Sequence, residues 1–288
     1  LGWGLAVSTS KLASINGGHP IGLALWQVLV SGGLLLSITI FKFGITVPRA
    51  NVLGFSFFCG ICGTAFPAYA LFKSSQYLPA GIVAIAFAIM PVFTYLISML
   101  FHLEAGNRRR WIGVMIGLMA MALIIAPEAS FPDFNYSRWV FLVLLASVSM
   151  SVENCYAGGM RPKDISSIQL SCGRQLGAVV VLSPLVILTD SFLPVFDTWT
   201  TLHWAATLTG ILSALCFTIL LYVINTSGTV FASQTAYLIT IFGIAWGIII
   251  FKEEHSIYVW TSLILVLVGC ALVQPTGNSP INNKLREK

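Results

Sequence analysis

Charged side chains are scarce in this sequence. Only 9% of its 288 residues are charged, while 57% are hydrophobic; roughly a quarter of the residues are charged in an ordinary soluble domain. This scarcity excludes a water-soluble globular protein, because too few charged groups remain to cover its surface. Backbone in lipid must satisfy its hydrogen bonds internally, which favours helices here over a barrel of alternating polarity. The composition therefore predicts an all-α, polytopic membrane protein.

Groups suited to catalysis or metal binding are also few. The four histidines fall in or beside loops and lack a partner at metal-ligand spacing. The "CGIC" stretch at residues 59–62 has the spacing of a redox or zinc motif, but it lies in an apolar run where small packing residues are expected. Paired acids, a zinc site or an activated serine cannot be assembled from this set. We expect no enzyme, no catalytic residue, no metal, no cofactor and no disulfide.

Apolar runs divide the chain into ten segments that approach the ~20 residues needed to cross a bilayer as helix. They are Leu1–Ile15, Ile21–Phe41, Val52–Phe72, Pro79–Phe101, Trp111–Ala126, Trp139–Gly159, Ile168–Thr189, Trp204–Tyr222, Val230–Phe251 and Tyr258–Val273. The first five form one domain, residues 1–127, and the second five another, residues 138–275. Residues 276–288 form a polar cytoplasmic tail.

Basic residues are distributed unevenly between the two sides of these segments. Ten of the fifteen fall on one side, namely Lys42, Arg49, Arg108, Arg109, Arg110, Arg161, Lys163, Lys284, Arg286 and Lys288. The positive-inside rule therefore places both termini in the cytoplasm. The net charge of +5 is the excess expected of loops that face anionic lipid, so the lipid bilayer is the partner and no nucleic acid is required.

Segments three to five align without a gap with segments eight to ten at an offset of 149 residues. Glu104 falls on Glu253 and Trp111 on Trp260, and the segment ends agree as well. Because each half has an odd number of segments, the second half is inverted relative to the first. Inverted repeats are a feature of transporters, since one fold in two orientations can open to either side of a central site. A channel would more commonly show a ring of charges or a selectivity filter, which this sequence lacks.

The repeats resemble a known family. The second part of the first repeat reads YLPAGIVAIAFAIMPVFTYLISMLFHLEAGNRRRW. It is similar to the EamA repeat of the drug/metabolite transporter superfamily, with Ala80, Pro91, Glu104 and Trp111 at the pattern positions. Thr240 stands where the second repeat often has the mid-helix proline.

The resemblance implies two inverted five-helix EamA repeats around a central cavity, lined mainly by segments one, three, four, six, eight and nine. It further implies a bacterial inner-membrane exporter with a small-molecule substrate, most similar to exporters of amino acids. We expect a monomer. Gln27 stands where the first repeat often has arginine, and Arg174 occupies the matching place in the second half.

Glu153 is the one acidic residue, of ten, that lies well inside an apolar segment. A charge at that depth costs several kcal/mol and normally faces a cavity or a partner. Arg174, on the next segment at similar depth, is the obvious partner. Two interpretations stay open: a structural or coupling ion pair between Glu153 and Arg174, or a cavity-facing Glu153 that binds a substrate ammonium or a proton.

Further cavity candidates share a polar or irregular character within the segments that the family uses for its cavity, or at their ends. They are Lys11, Tyr69, Lys73, Pro91, Tyr95, Asn154, Tyr237 and Trp246. The alternatives are snorkelling to the interface for the lysines, a packed kink for Pro91, and packed core for the aromatic residues.

Together these features predict a secondary transporter that exports small amphiphilic metabolites by alternating access. Amino acids with large neutral or aromatic side chains are the first choice of substrate. Drugs, nucleosides or sugars are the alternative. The sequence leaves open whether transport is proton-coupled or facilitative.

Overall fold

A computed structural model describes residues 1–44, 49–101, 106–125, 137–160, 162, 165–194, 198–233 and 235–273, with the side chains of 158, 159, 221–233 and 235–237 excepted. All regular secondary structure in these ranges is helical. The α-helices are α1 Gly2–Ile15, α2 Pro20–Phe43, α3 Ala50–Gly60, α4 Phe66–Ser75, α5 Ala80–Ala88, α6 Met90–Leu100, α7 Arg108–Ile125, α8 Ser137–Met160, α9 Ser167–Thr189, α10 Thr201–Ser233, α11 Thr235–Phe251 and α12 Ile257–Val273. A π-helical turn, Ile61–Ala65, joins α3 to α4.

Six helical stretches are long and apolar enough to cross a membrane. They are Pro20–Phe43, Ala50–Ser75, Ala80–Leu100, Ser137–Ala157, Ser167–Thr189 and Thr201–Leu220, and Leu238–Phe251 and Ile257–Val273 are shorter apolar helices. The prediction of an all-helical, polytopic membrane protein is confirmed at this level.

The third and fourth predicted segments are each interrupted. The third contains the π-helical turn, and the fourth is divided at Ile89, between α5 and α6. Pro67 follows the first irregularity and Pro91 the second. A proline within a helix removes a hydrogen bond and crowds the preceding turn, so both interruptions are local consequences of these residues.

The eighth predicted segment ends earlier than the helix does. We expected a break between Tyr222 and Val230, but α10 runs continuously from Thr201 to Ser233 and α11 begins at Thr235. In the first half, Pro79 ends the corresponding turn, whereas Gly228 stands at the aligned position. Glycine weakens a helix by about 1 kcal/mol but keeps its N–H donor, so the helix continues.

Helix α7 has small residues on the face that packs inside the bundle and large apolar residues on the opposite face. Ile112, Met115 and Met119 are 56 to 59% exposed. Gly113, on the opposite face, packs against Gly269 of α12: a Cβ atom at Gly113 would lie 2.7 Å from the Gly269 carbonyl oxygen. Small residues that bring backbones together, with large apolar residues outside, are typical of helix packing in lipid.

Helix α8 runs alongside α5 and α6 in the same direction. Ser147 Oγ lies 3.1 Å from the Ala86 carbonyl oxygen and Ser151 Oγ lies 3.0 Å from that of Met90, with the same separation of 61 residues. The constant separation requires parallel helices. The two contacts also hold α8 against the helix break at Ile89. Residues 153 and 154 of α8 therefore lie beside this break.

The packing of α7 on α12 predicts that Gly113→Ala destabilises the protein. The added methyl group meets backbone and side-chain atoms of α12 at 2.7 to 2.9 Å, and such overpacking costs about 1 to 3 kcal/mol. Gly33→Ala is the matched control, because a Cβ atom there has no neighbour within 4 Å among the described residues. Thermal unfolding in detergent should give a lower Tm for Gly113→Ala only; equal Tm values would refute this packing.

Candidate functional site

The middle of the bundle contains a backbone carbonyl, that of Gly63, whose usual hydrogen-bond donor in an α-helix is replaced by Pro67. An α-helical carbonyl at Gly63 would accept from residue 67, which as a proline has no N–H. Arg174 of α9 fills the gap: its Nη2 donates to the Gly63 oxygen at 2.6 Å, and its Nε donates to Thr64 Oγ1 at 2.7 Å. The π-helical turn therefore presents two oxygens to one guanidinium group.

Glu153 of α8 is the ionic partner of the same guanidinium. Arg174 Nη1 lies 3.5 Å from Glu153 Oε1, and the side chains are 13% and 8% exposed, respectively. The ring of Phe217 lies 4.1 Å from the guanidinium carbon, close enough for a cation–π interaction. The described residues therefore bring Glu153 and Arg174 together, and the shorter bonds of Arg174 go to the π-helical turn.

Glycine at position 63 is required for this arrangement. A Cβ atom at Gly63 would lie 2.7 Å from Glu153 Cδ, so any larger residue would displace the carboxylate. The carboxylate thus occupies a defined place between the π-helical turn and α9.

Asn154 lies on a different face of α8 from its neighbour Glu153. Its side chain is exposed, and its Nδ2 lies 3.6 Å from Met90 Sδ, at the first residue of α6. Pro91 is the next residue. An exposed amide in the middle of an apolar helix, beside an interrupted helix, needs a polar environment to satisfy it.

A second ionic cluster surrounds Glu253, in the segment between α11 and α12. Its Oε1 accepts from Lys11 Nζ at 2.5 Å and from the Ala80 N–H at 2.7 Å, and its Oε2 accepts from the Gly81 N–H at 3.1 Å. The carboxylate therefore occupies the N-terminus of α5, where free N–H groups and the helix dipole favour an anion. Lys11, a predicted cavity residue, is instead the ionic partner of Glu253.

His255 completes this cluster. Its Nε2 lies 3.5 Å from Glu253 Oε2, and its side chain is 2% exposed. Burial lowers the pKa of His255 below its usual 6.5, an effect to which Lys11 adds and which Glu253 opposes. Neutral histidine is therefore favoured near pH 7, and Lys11 supplies the positive charge next to Glu253.

The other predicted site residues lie apart from these two clusters. The Tyr95 hydroxyl accepts from the Asn107 N–H at 3.2 Å, at the end of the bundle where α6 leads to α7. Lys73 Nζ contacts Gln76 Oε1 at 3.4 Å and Tyr77 Oη at 3.5 Å. Tyr69 is half-buried on α4. Trp246 Nε1 is buried and has no hydrogen-bond partner among the described residues; the side chain of Tyr237 lies outside them, as does Glu104.

A cavity of about 370 Å³ lies at one end of the bundle. It is lined by the turn between α1 and α2, including His19, and by residues that follow α9, including Asp190 and Ser191. None of the predicted site residues that the structure describes lines it. The central cavity between the two halves stays a prediction.

Two participants were not identified as site residues from the sequence. Glu253 is one of the nine acidic residues that lie outside the predicted segments, and Thr64 is an uncharged residue within one of them. The proline rule points to Gly63, since a proline leaves the carbonyl four residues before it unpaired. No local signal in the sequence connects either residue to its basic partner, because Thr64 lies 110 residues from Arg174 and Lys11 lies 242 from Glu253.

The contacts of Arg174 predict that Arg174→Met strongly destabilises the protein. The change leaves the Gly63 carbonyl and the Glu153 carboxylate without their partner, and breaking a buried pair in this way costs about 3 to 5 kcal/mol. Glu153→Gln should cost less, because the amide is neutral and of the same size. The double variant should lose less stability than the sum of the losses of the two single variants, because the two side chains are paired.

Thermal unfolding in detergent measures these effects. Arg138→Met is the control, since Arg138 is exposed at the start of α8 and such a surface change costs about 0.5 kcal/mol or less. A similar Tm for Arg174→Met and Arg138→Met would show that the contacts of Arg174 do not hold the helices together.

Comparison with known proteins places this arrangement in context. The family model described as EamA-like transporter family matches residues 1–126 and 137–274. An uncharacterized transporter of Bacillus subtilis, YdfC, is 30% identical over 141 residues, which cover 49% of this chain and 45% of that protein. A probable terminal-alkyne amino-acid exporter of Streptantibioticus cattleyicolor is 26% identical over 196 residues, covering 64% of this chain and 63% of that protein.

A third relative, the uncharacterized inner membrane transporter YedA of Escherichia coli K12, is 24% identical over 208 residues. These alignments span between 45% and 63% of the relatives' own lengths. A solved structure titled "Crystal structure of protein" superposes with a TM-score of 0.63 over 99% of this chain and 98% of its own, at 15% identity, and so shares the fold. The family match covers both halves of the sequence: the chain is a multi-pass membrane protein and belongs to the EamA-like transporter family.

Proposed function

We propose that this transporter exports small amphiphilic metabolites, above all large neutral and aromatic amino acids, by alternating access at a site between two inverted five-helix repeats. The ten predicted segments would cross the inner membrane of a bacterium, with both termini in the cytoplasm and one chain as the functional unit. The pair formed by Glu153 and Arg174 carries the proposal, because a buried ionic pair beside an interrupted helix is typical of a transport site in the membrane.

Reciprocal contacts support the inverted repeat. Gly113 packs against Gly269, and Ser262 Oγ donates to the Ala120 carbonyl at 2.9 Å. At the offset of 149, residues 113 and 120 of α7 correspond to residues 262 and 269 of α12. Exchanging the two halves therefore turns one contact into the other, as a two-fold axis between them requires.

A second pair of contacts behaves in the same way. Arg174 donates to Thr64, and Gln27, which takes the matching place in the first half, donates to Ser213 Oγ at 3.0 Å. Thr64 and Ser213 are again 149 residues apart. Each half thus supplies a polar residue on its second segment to a hydroxyl group on the third segment of the other half.

The direction of α8 supports the same topology. With five segments in each half and the second half inverted, the fourth and sixth segments cross the bilayer in the same direction. Helices α5 and α6 belong to the fourth segment and α8 to the sixth, and they run parallel.

An amino acid is the substrate class that the site supports best. The Glu153 carboxylate offers an ammonium group an acceptor, and the exposed Asn154 amide offers a carboxylate a donor. Met90 and Phe217 provide apolar surface near these groups. One relative carries the description of a probable amino-acid exporter. Drugs, nucleosides or sugars remain the second class.

Not every cavity candidate belongs in this site. Lys11 and Tyr95 have partners at the two ends of the bundle, and we assign them to the scaffold, together with Lys73. Glu153, Asn154 and the Pro91 break form the proposed site, to which Tyr69, Tyr237 and Trp246 are assigned as wall residues.

Counterflow in proteoliposomes tests this function. Liposomes loaded with unlabelled leucine, phenylalanine or tryptophan should accumulate the labelled amino acid, whereas arginine and glutamate should not exchange. Asn154→Ala should reduce exchange about tenfold, because a lost hydrogen bond to a charged substrate group corresponds to about 1.5 kcal/mol or more. Glu153→Gln should reduce it by at least as much.

The control variant is Arg138→Met, which should exchange at the wild-type rate with an unchanged Tm. Accumulation no greater than in empty liposomes for all large neutral amino acids would exclude this substrate class. Wild-type exchange by Glu153→Gln would exclude the carboxylate from substrate binding and leave it a structural partner of Arg174.

A further inference from the structure

We propose that Glu253 is the latch that closes the external face of the transporter by joining its two halves. The proposal rests on the alternating-access function above, because a latch has meaning only if that face opens. Glu253 follows α11 of the second half, while its partners Lys11, Ala80 and Gly81 lie on α1 and α5 of the first half.

The latch lies at one end of the bundle. Lys11 is near the end of α1, Ala80 and Gly81 begin α5, and Glu253 follows the end of α11. The predicted topology places all three of these ends on the external side. Deeper in the bundle, the same helices pack through small residues: a Cβ atom at Gly243 would lie 2.5 Å from Ala84 Cβ, and one at Gly4 would lie 2.7 Å from the Gly243 nitrogen.

The contacts of Glu253 are strong ones for a carboxylate. Its side chain is only 7% exposed, and it accepts from one ammonium group and two N–H groups at the start of a helix. Charge-assisted hydrogen bonds of this kind are about twice as strong as neutral ones. Opening this face requires the carboxylate to leave all three donors at once, so the cluster holds the face closed until transport separates the halves.

Glycines on both halves make room for the carboxylate. A Cβ atom at Gly247 of α11 would lie 2.6 Å from Glu253 Oε2, and one at Gly81 would lie 2.7 Å from His255 Nε2. The closed arrangement is therefore shaped around the Glu253 and His255 side chains. Phe251, at the end of α11, adds its ring 4.8 Å from Lys11 Nζ.

Accessibility of a thiol beneath the latch tests the proposal without knowledge of the substrate. Ser8 lies one helical turn before Lys11 on α1, so the two share a helix face. It is 0% exposed, and Ser8→Cys adds a thiol there with little change in size. The readout is the rate at which a membrane-impermeant methanethiosulfonate, added to the external face of oriented proteoliposomes, modifies this thiol. The protein with only its native cysteines is the blank.

We expect slow modification in Ser8→Cys and a rate at least about tenfold higher when Glu253→Gln or Lys11→Met is added; tenfold corresponds to about 1.4 kcal/mol in the opening equilibrium. Lys11→Arg keeps the charge and should stay slow. Lys252→Met is the matched control, because Lys252 is exposed beside Glu253, and it should also stay slow.

Three results would overturn the latch. The first is a rate of Ser8→Cys modification with Glu253→Gln or Lys11→Met that equals the rate with Lys252→Met. The second is a thiol that reacts only from the cytoplasmic face. The third is a rate with Lys11→Arg as high as the rate with Lys11→Met. Lys11→Met leaves the hydrogen bonds between Glu253 and α5 in place, so this variant still tests the latch if Glu253→Gln fails to fold. Failed amino-acid counterflow combined with faster modification would reject the substrate and retain the latch.

Discussion

A helix in lipid has no water to satisfy its backbone, and the centre of this protein is built on one place where the backbone depends on a side chain. Pro67 has no N–H to donate to the Gly63 carbonyl, and Arg174 supplies a donor from another helix. A guanidinium at that depth needs a negative partner, which explains why an otherwise apolar α8 contains Glu153. The absence of a side chain at Gly63 then makes space for the carboxylate. One missing hydrogen bond thus accounts for two charged side chains in the membrane, Arg174 and Glu153.

The two ionic clusters have different proposed roles. The pair of Glu153 and Arg174 lies within the bundle, next to the break at Ile89, where an amphiphilic substrate would find both a charge and apolar surface. The cluster of Glu253 and Lys11 lies at one end and joins the halves there. The proposed alternating access requires this division, because its centre would bind substrate while the ends open and close.

Much of the fold follows from the sequence because the bilayer limits what a chain can do. Apolar runs predict helices, and the helices α2, α9 and α12 begin and end within a few residues of their predicted bounds. The exceptions have local causes: glycine in place of proline lets α10 continue past Tyr222, and Pro67 and Pro91 interrupt helices that composition alone presents as continuous. The pairing of Glu153 with Arg174 was an anticipated alternative, since both lie at similar depth on neighbouring segments. The pairing of Lys11 with Glu253 was not anticipated, because it depends on how α1 packs against α11, which no local pattern records.

The proposed central chamber requires that Asn154 faces water inside the membrane. The measurement is the reaction of Asn154→Cys with an impermeant methanethiosulfonate, which modifies a thiol in contact with water far faster than one in lipid. With the external latch closed, we predict modification from the cytoplasmic face and slower modification when a transported amino acid is present at saturation. A thiol that stays unreactive from both faces would place residue 154 against lipid and contradict a central chamber between the halves.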